Sequence, residues 1–405
     1  MGIDLKKLYG GNYNAIEVEK RYNKITLIYE KTFGKDYNLY SSSGRIEILG
    51  NHTDHNNGKV LTASISLDTI CAANVSNTNV INIKSEGYHD MILDVNDTEF
   101  NEKNIGTSLG LVMGVVEGYK RNNLKVGGFN AIISSNVLKG SGVSSSASFE
   151  VLIAEILNDL FNDGHVPSVK KAQISQFAEN VYFGKPSGLL DQTAIACGGI
   201  TNIDFEKPKP KITAVDMDFS SYSVIITNTE SDHSNLTSCY ADIKNEMESV
   251  AKFFGEKFLR EVSYKAFINK LPALTKKVSG RAVLRAIHFF EENLRVEKAT
   301  LAIKNNDYKT FFNCMNESGD SSYKLLQNCY APGDIEQRIP LALEISRCNI
   351  KDGATRVHGG GFAGTIIAIL KKEEVTNYIK NMALVFGEKN IYNINIRTVG
   401  ACKIN

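Results

Sequence analysis

Arg45, His52 and Asp54 crowd one short stretch together with three side-chain amides, Asn51, Asn56 and Asn57. Planar amides, carboxylates and imidazoles suit sugar hydroxyls, each of which both donates and accepts a hydrogen bond. A polar turn that bonds only its own backbone is the plainer account of the same residues. Far along the chain, Asp191 follows a Gly/Pro turn, and Glu179 precedes it by about a dozen positions. Near a bound nucleotide, one carboxylate can accept the proton of an attacking hydroxyl and a second can hold Mg2+. Arg45 would lower the pKa of such an aspartate and neutralise charge on a phosphoryl group in transit. Taken singly, each acidic residue is more often part of a solvated face, so the case depends on what stands beside them.

What stands beside them is Lys139-Gly140-Ser141-Gly142-Val143-Ser144-Ser145-Ser146-Ala147. An apolar run, Phe129 to Ile133, precedes it, and Phe149, Leu152, Ile153, Ile156, Leu157 and Leu160 follow at helical spacing. The local order is therefore strand, loop, helix. Glycine lets the backbone turn its N–H groups inward, and a helix start leaves N–H groups unpaired at the positive end of its dipole. A phosphate chain fits such a place. The loop is neither a GxxxxGK[ST] loop nor a dinucleotide fingerprint with its third glycine, so it belongs to another phosphate-binding pattern. The three serines lack the GxSxG order of a hydrolase elbow. No HxxxH or Cys/His spacing points to zinc, and His55 and His358 are expected to be structural or surface residues.

These residues need positioning elements. Ala15, Val18, Tyr22, Ile25, Tyr29 and Phe33 predict an amphipathic helix, Gly44 to Gly50 an alternating strand, and Val60 to Leu67 a second strand. A helix is expected from Thr107 through Val116 behind a Thr/Ser cap, and another from Ile174 to Val181, broken by Gly184-Lys185-Pro186-Ser187-Gly188. The charged, proline-containing run Glu206 to Lys211 is a candidate boundary between lobes, with an ordinary hairpin loop as the alternative. Beyond it come a strand at Ser223 to Thr227 and mostly helix from Tyr240 to about Phe312. A second glycine-rich element, Val357 to Gly364, precedes a strand at Thr365 to Leu370.

A chain of 405 residues and 44.7 kDa is longer than one typical domain of roughly 100–200 residues, so two lobes are expected, residues 1–206 and 207–405. Net charge is +1, with 46 basic and 45 acidic residues in no long block, which disfavours a nucleic-acid face or a membrane-surface patch. Seven scattered cysteines without a CxxC pair fit free thiols in a reducing cytoplasm. The N-terminus lacks the apolar core of a signal peptide, and no apolar run approaches the roughly 20 residues that span a bilayer. A cytoplasmic monomer is the expectation.

Three separated motifs resemble those of one family. Gly44 to Asn56, GRIEILGNHTDHN, is similar to the galactokinase signature GRxNLIGEHTDYN. Lys139 to Ala147 resembles the GGGLSSSA loop, and Gly359 to Gly364 the GGGFGG motif. Gly188 to Gln192, Arg285 to Phe290, and the stretch from Glu317 to Asn328 add further similarity, so most of the chain is covered. The resemblance implies the α+β, two-lobed fold of the GHMP small-molecule kinases, an N-terminal ribosomal-S5-like mixed sheet with helices and a C-terminal ferredoxin-like lobe. It implies ATP and Mg2+ as cofactors and phosphorylation of the anomeric hydroxyl of galactose. By position, Asp191 matches the catalytic aspartate and Arg45 its partner, while Ser146, with Ser145 beside it, and Glu179 match metal ligands. His52, Asp54, Gly188 and Tyr240 match sugar contacts, and Gly140, Ser141, Gly142, Val143 and Ser144 line the phosphate loop that Lys139 opens. The family's Glu after the Leu-Ile-Gly, a contact of the sugar's primary hydroxyl, is Asn51 here, and its Asn before that tripeptide is Glu47. An amide at that contact loses the charge-assisted bond. Two alternatives follow: a kinase of another sugar, such as an N-acetylhexosamine or a sugar acid, or a regulator that binds sugar and nucleotide without turnover.

Overall fold

The computed structural model of the protein describes residues 3–11, 13–137, 142–185, 187–230 and 236–405. β1 (Asn38–Leu49) and β2 (Lys59–Val75) form its long antiparallel centre, with Asn38 opposite Ala73 and Leu49 opposite Leu61. Both strands extend beyond the sequence expectation. In β1 the reason is Ser41, Ser42 and Ser43, which are fully buried yet polar, so no apolar alternation announces them. Outward from β2 the sheet continues through β3 (Val80–Ser85), β4 (Met91–Asp94) and β5 (Phe129–Ser135). β5 lies against β2, β3 runs parallel to β5, and β4 forms the edge.

The other half of β2 carries β6 (Ile200–Asp204), and β7 (Lys211–Val215) pairs with β6 in turn. Residues 206–210 are therefore a hairpin loop inside one sheet. The boundary expected between 206 and 207 lies within that hairpin, and the chain leaves the first sheet only after Val215. Pro208 and Pro210 supply turn geometry, which a hairpin and a linker need alike; the β6–β7 register is what separates the two.

A second, wholly antiparallel sheet has the order β11-β8-β10-β9, from β8 (Tyr222–Asn228), β9 (Gly353–His358), β10 (Thr365–Lys371) and β11 (Ile391–Ile394). The chain then returns, and β12 (Cys402–Lys403) pairs with β1. The architecture is α+β.

Period-two alternation sorts the first sheet's faces. Ile70, Ala72 and Ile132 pack under the helix Ala15–Phe33, through Val18, Tyr22, Ile25 and Tyr29. Cys71, Ala73, Ala131 and Ile133 face the helices Ser108–Arg121 and Ser145–Asn162. Thr107 caps the first of these, its Oγ1 accepting from the Gly110 N–H at 3.1 Å. A further apolar cluster joins Ile46, Ile48, Leu61 and Ile65 to Val224, Ile226, Ile367 and Ile369 of the second sheet and to Val296, Ala299, Phe311 and Met315. The two sheets thus share a core, which holds them in fixed relation. With Ile46 and Ile48 pointing into it, Arg45 and Glu47 must point the other way.

Candidate active site

The glycine-rich loop and β1 meet through a glycine. A Cβ on Gly44 would lie 2.9 Å from the Val143 carbonyl oxygen, and the Arg45 N–H donates to that oxygen at 3.2 Å. Gly142 (φ 73°) and Ser144 (φ 64°) are both left-handed, a rare conformation for a serine, and the helix begins at Ser145. Lys139, Gly140 and Ser141 lie outside the described residues.

The strain at Ser144 coincides with a contact: its Oγ donates to Asp191 Oδ2. Arg45 Nε donates to Asp191 Oδ1 at 2.7 Å, and Arg45 Nη1 to the Gly142 carbonyl. Asp191 sits in the first turn of the helix Leu190–Cys197, where the helix dipole favours an anion. Burial pushes its carboxyl up, but Arg45's charge and hydrogen bond, then Lys185 and Ser144, outweigh that and hold it below the usual range. Residues 146 positions apart in sequence thereby form one ion pair.

Glu179 lies on a π-turn, Ala178–Tyr182, which closes the helix Ser168–Phe177, and its carboxylate is buried, 1% exposed. Ser146 Oγ (2.9 Å) and Lys185 Nζ (3.0 Å) donate to Oε1, and Ser187 Oγ and Gln192 Nε2 (both 2.7 Å) to Oε2. Ser146 and Glu179 are hard oxygen donors side by side, the set that a magnesium ion uses with substrate phosphates. Among the described residues no group of three His, Cys, Asp or Glu side chains could hold a metal alone. Behind Glu179, Glu150 is fully buried, with Oε2 facing Gln192 Nε2 at 3.3 Å and Oε1 unpaired.

Across the cleft, Asp54 lies against Gly188 so closely that a Cβ there would be 1.7 Å from Asp54 Oδ2. Burial, then repulsion by Asp191 and Glu47, raises its carboxyl to about 7. His52 is forced into the left-handed region (φ 57°), and its Nε2 bonds the Gly360 carbonyl at 2.9 Å. A carbonyl only accepts, so Nε2 carries the proton and Nδ1 is left as an acceptor. Burial lowers this imidazole's pKa to about 4, which keeps it neutral. Tyr240 stacks on His52 (6.5 Å between centroids), packs edge-on to Phe362 and donates to the Gly361 carbonyl at 3.1 Å. Gly360 is needed here because a Cβ would lie 2.6 Å from the Tyr240 ring.

Asn51 is the exception among the expected sugar contacts. It is fully buried, and its Nδ2 donates to Glu47 Oε1 (2.8 Å) and the Gly359 carbonyl (2.7 Å). Its Oδ1 accepts from Asn328 Nδ2 (2.8 Å) and Ser322 Oγ (3.2 Å). With both amide protons and the carbonyl spent, it has nothing left to offer a hydroxyl. The two departures from the signature are thus partners: amide and carboxylate have exchanged places four residues apart, and Glu47 keeps a salt bridge to the buried Arg356 at 3.3 Å. His358 belongs to the same interior, accepting the Glu47 N–H at Nε2 (3.2 Å) and facing Thr365 Oγ1 at 3.1 Å through Nδ1. Lys185, Ser187, Gln192 and Glu47 were not selected as site residues from sequence. Their one signal was position, three of them flanking the turn into Asp191 and the fourth being a carboxylate where the signature has an amide.

A family model for the galactokinase galactose-binding signature matches residues 28–75, and one for the GHMP kinase N-terminal domain matches residues 110–199. A galactokinase of Haemophilus influenzae is 31% identical over 84% of this chain and 87% of its own length. The chain belongs to the galactokinase family. A Clostridium tetani galactokinase is 29% identical over 92% of both chains. The crystal structure of Lactococcus lactis galactokinase complexed with galactose superposes with a TM-score of 0.83 at 25% identity, covering 95% of this chain and all of that one. A Methanococcus jannaschii mevalonate kinase shares the fold, with a TM-score of 0.64 at 16% identity. The chain is a kinase of the GHMP fold, and membership of a kinase family implies ATP as phosphoryl donor. Among the described residues no helix is long and apolar enough to cross a membrane.

Proposed function

We propose that the protein phosphorylates the anomeric hydroxyl of galactose, using ATP with Mg2+. The observation that carries the site assignment is the Arg45–Asp191 ion pair at the mouth of the glycine loop, with Asp54 facing the same cleft. In this reading the loop from Gly142 to the start of the Ser145 helix presents backbone N–H groups to the nucleotide phosphates, in continuation of Lys139, Gly140 and Ser141. Ser146 and Glu179 would hold the Mg2+, which when bound neutralises phosphate charge.

Asp191 orients the sugar hydroxyl and takes its proton. Its depressed pKa suits a late proton transfer, because phosphoryl transfer passes through a loose transition state in which the attacking oxygen keeps its proton long. Arg45 anchors Asp191 through Nε and presents a guanidinium to the transferring group. Asp54 accepts from sugar hydroxyls, with neutral His52, Tyr240 and the bare backbone of Gly188 shaping the pocket. Asn51 and Glu47 position that turn from behind. ADP release should therefore depend on galactose, and kcat/KM for galactose should exceed that for N-acetylgalactosamine and galacturonic acid. Equal or better turnover of either would reassign the substrate, and no ADP release with any free sugar would remove the function.

A further inference from the structure

Lys185 is a site residue that neither the sugar contacts nor the phosphate loop requires. It directly follows the helix break, and its ammonium donates to Glu179 Oε1 at 3.0 Å, the same oxygen that Ser146 Oγ bonds at 2.9 Å. It therefore competes for the carboxylate oxygen that a cation held by Ser146 and Glu179 would need. Its surroundings are acidic: Glu150, Glu179 and Asp191 all lie within its electrostatic reach. Glu179 is almost wholly buried while the lysine side chain is 55% exposed, so the carboxylate is fixed and the ammonium is free to swing on its stem.

We propose that Lys185 is a resident counter-ion that makes metal entry conditional on nucleotide: it fills the cation's place on Glu179 until a metal–nucleotide complex arrives. The exchange leaves each charged group with an opposite partner. A free divalent ion would have to expel the ammonium into water and would find only one hydroxyl and one carboxylate. A metal carried on a polyphosphate brings its own oxygens and offers the displaced ammonium an anion to bind. The inference rests on Ser146 and Glu179 being the metal ligands.

The test titrates nucleotide-free full-length protein with Mn2+, following loss of the free-ion EPR signal. Wild type should bind weakly, Lys185→Arg should behave as wild type, and Lys185→Met should bind about three- to fivefold tighter, the scale of losing a partly exposed ion-pair competitor. The gain should vanish in the double variant Lys185→Met/Glu179→Gln. A gain under about twofold, or one that survives Glu179→Gln, overturns the proposal. Galactose-dependent ADP release by the wild type, measured alongside, separates the two readings. If it is present and Mn2+ affinity is unmoved, this inference alone falls; if it is absent, the functional reading beneath it falls.

Discussion

At one end of the cleft Asp191 is gripped by Arg45 and Ser144, and its carboxyl is held below the usual range. At the other, Asp54 is pressed against Gly188, its largest charged neighbours are Asp191 and Glu47, and its carboxyl rises to about 7. The same side chain, partly buried in both places, is thus stabilised as an anion in one and left costly in the other. In the proposed mechanism the difference separates two tasks. A group that must meet a phosphoryl group needs its charge neutralised in advance, whereas a group that must grip hydroxyls can go without a cation partner until the ligand supplies donors. Substrate binding then offsets a desolvation cost that the empty protein bears.

The largest effect should come from breaking the paired end. Asp191→Asn should lower kcat about 10³-fold with galactose affinity little changed, and Arg45→Met about 10²-fold, by steady-state ADP release and calorimetric sugar binding. Arg45→Met should also raise the pKa of Asp191 and shift the acid limb of the kcat profile upward, since the pair is what depresses it.

The unpaired end should answer in binding. Asp54→Asn is expected to raise KM for galactose about 10- to 30-fold while kcat changes less, because a charge-assisted bond to a hydroxyl becomes an ordinary one. In wild type, KM for galactose should fall as pH climbs through about 7 and Asp54 ionises; in Asp54→Asn that dependence should flatten. Stability has a definite sign. A carboxyl raised from 3.8 to about 7 keeps a proton that the unfolded chain has released, so its contribution is present below about pH 4 and lost by pH 7. The melting temperature of sugar-free wild type should therefore drop relative to Asp54→Asn over that window, and added galactose should narrow the gap at pH 7.

The remaining effect is read in stability rather than in activity, and it concerns the support behind the turn. Asn51→Glu would set a second carboxylate against Glu47 and strand the Gly359 carbonyl, at a cost of about 2–4 kcal/mol by denaturant unfolding. The exchanged pair Glu47→Asn/Asn51→Glu should recover at least half of that, because amide and carboxylate again face one another. If the double variant is no better than the single one, the two positions are not coupled.

Much of the site was legible because its members carry their own punctuation. Glycine at 44, 142 and 188 marks close approaches, and Arg45 and Asp191 are charged residues beside such turns. Three things were not legible. The membership of residues 211–215 in the first sheet is decided by pairing with β6, a long-range register to which a proline-containing loop gives no clue. Asn51 and Glu47 each read as a separate departure, and only burial shows that they compensate. Lys185 entered the sequence reading only within the stretch that breaks the helix; its bond is to a Glu179 carried on the π-turn at Ala178–Tyr182, which has no sequence signature of its own.

The central claim is that Asp191, set by Arg45, acts on the anomeric hydroxyl of galactose. It is tested most directly by incubating the protein with ATP, Mg2+ and galactose and recording phosphorus NMR of the product. The account predicts a sugar phosphate whose phosphorus couples to H1 of galactose, formed by wild type and reduced about 10³-fold in rate by Asp191→Asn. Phosphate on another carbon, or undiminished product from Asp191→Asn, would contradict it.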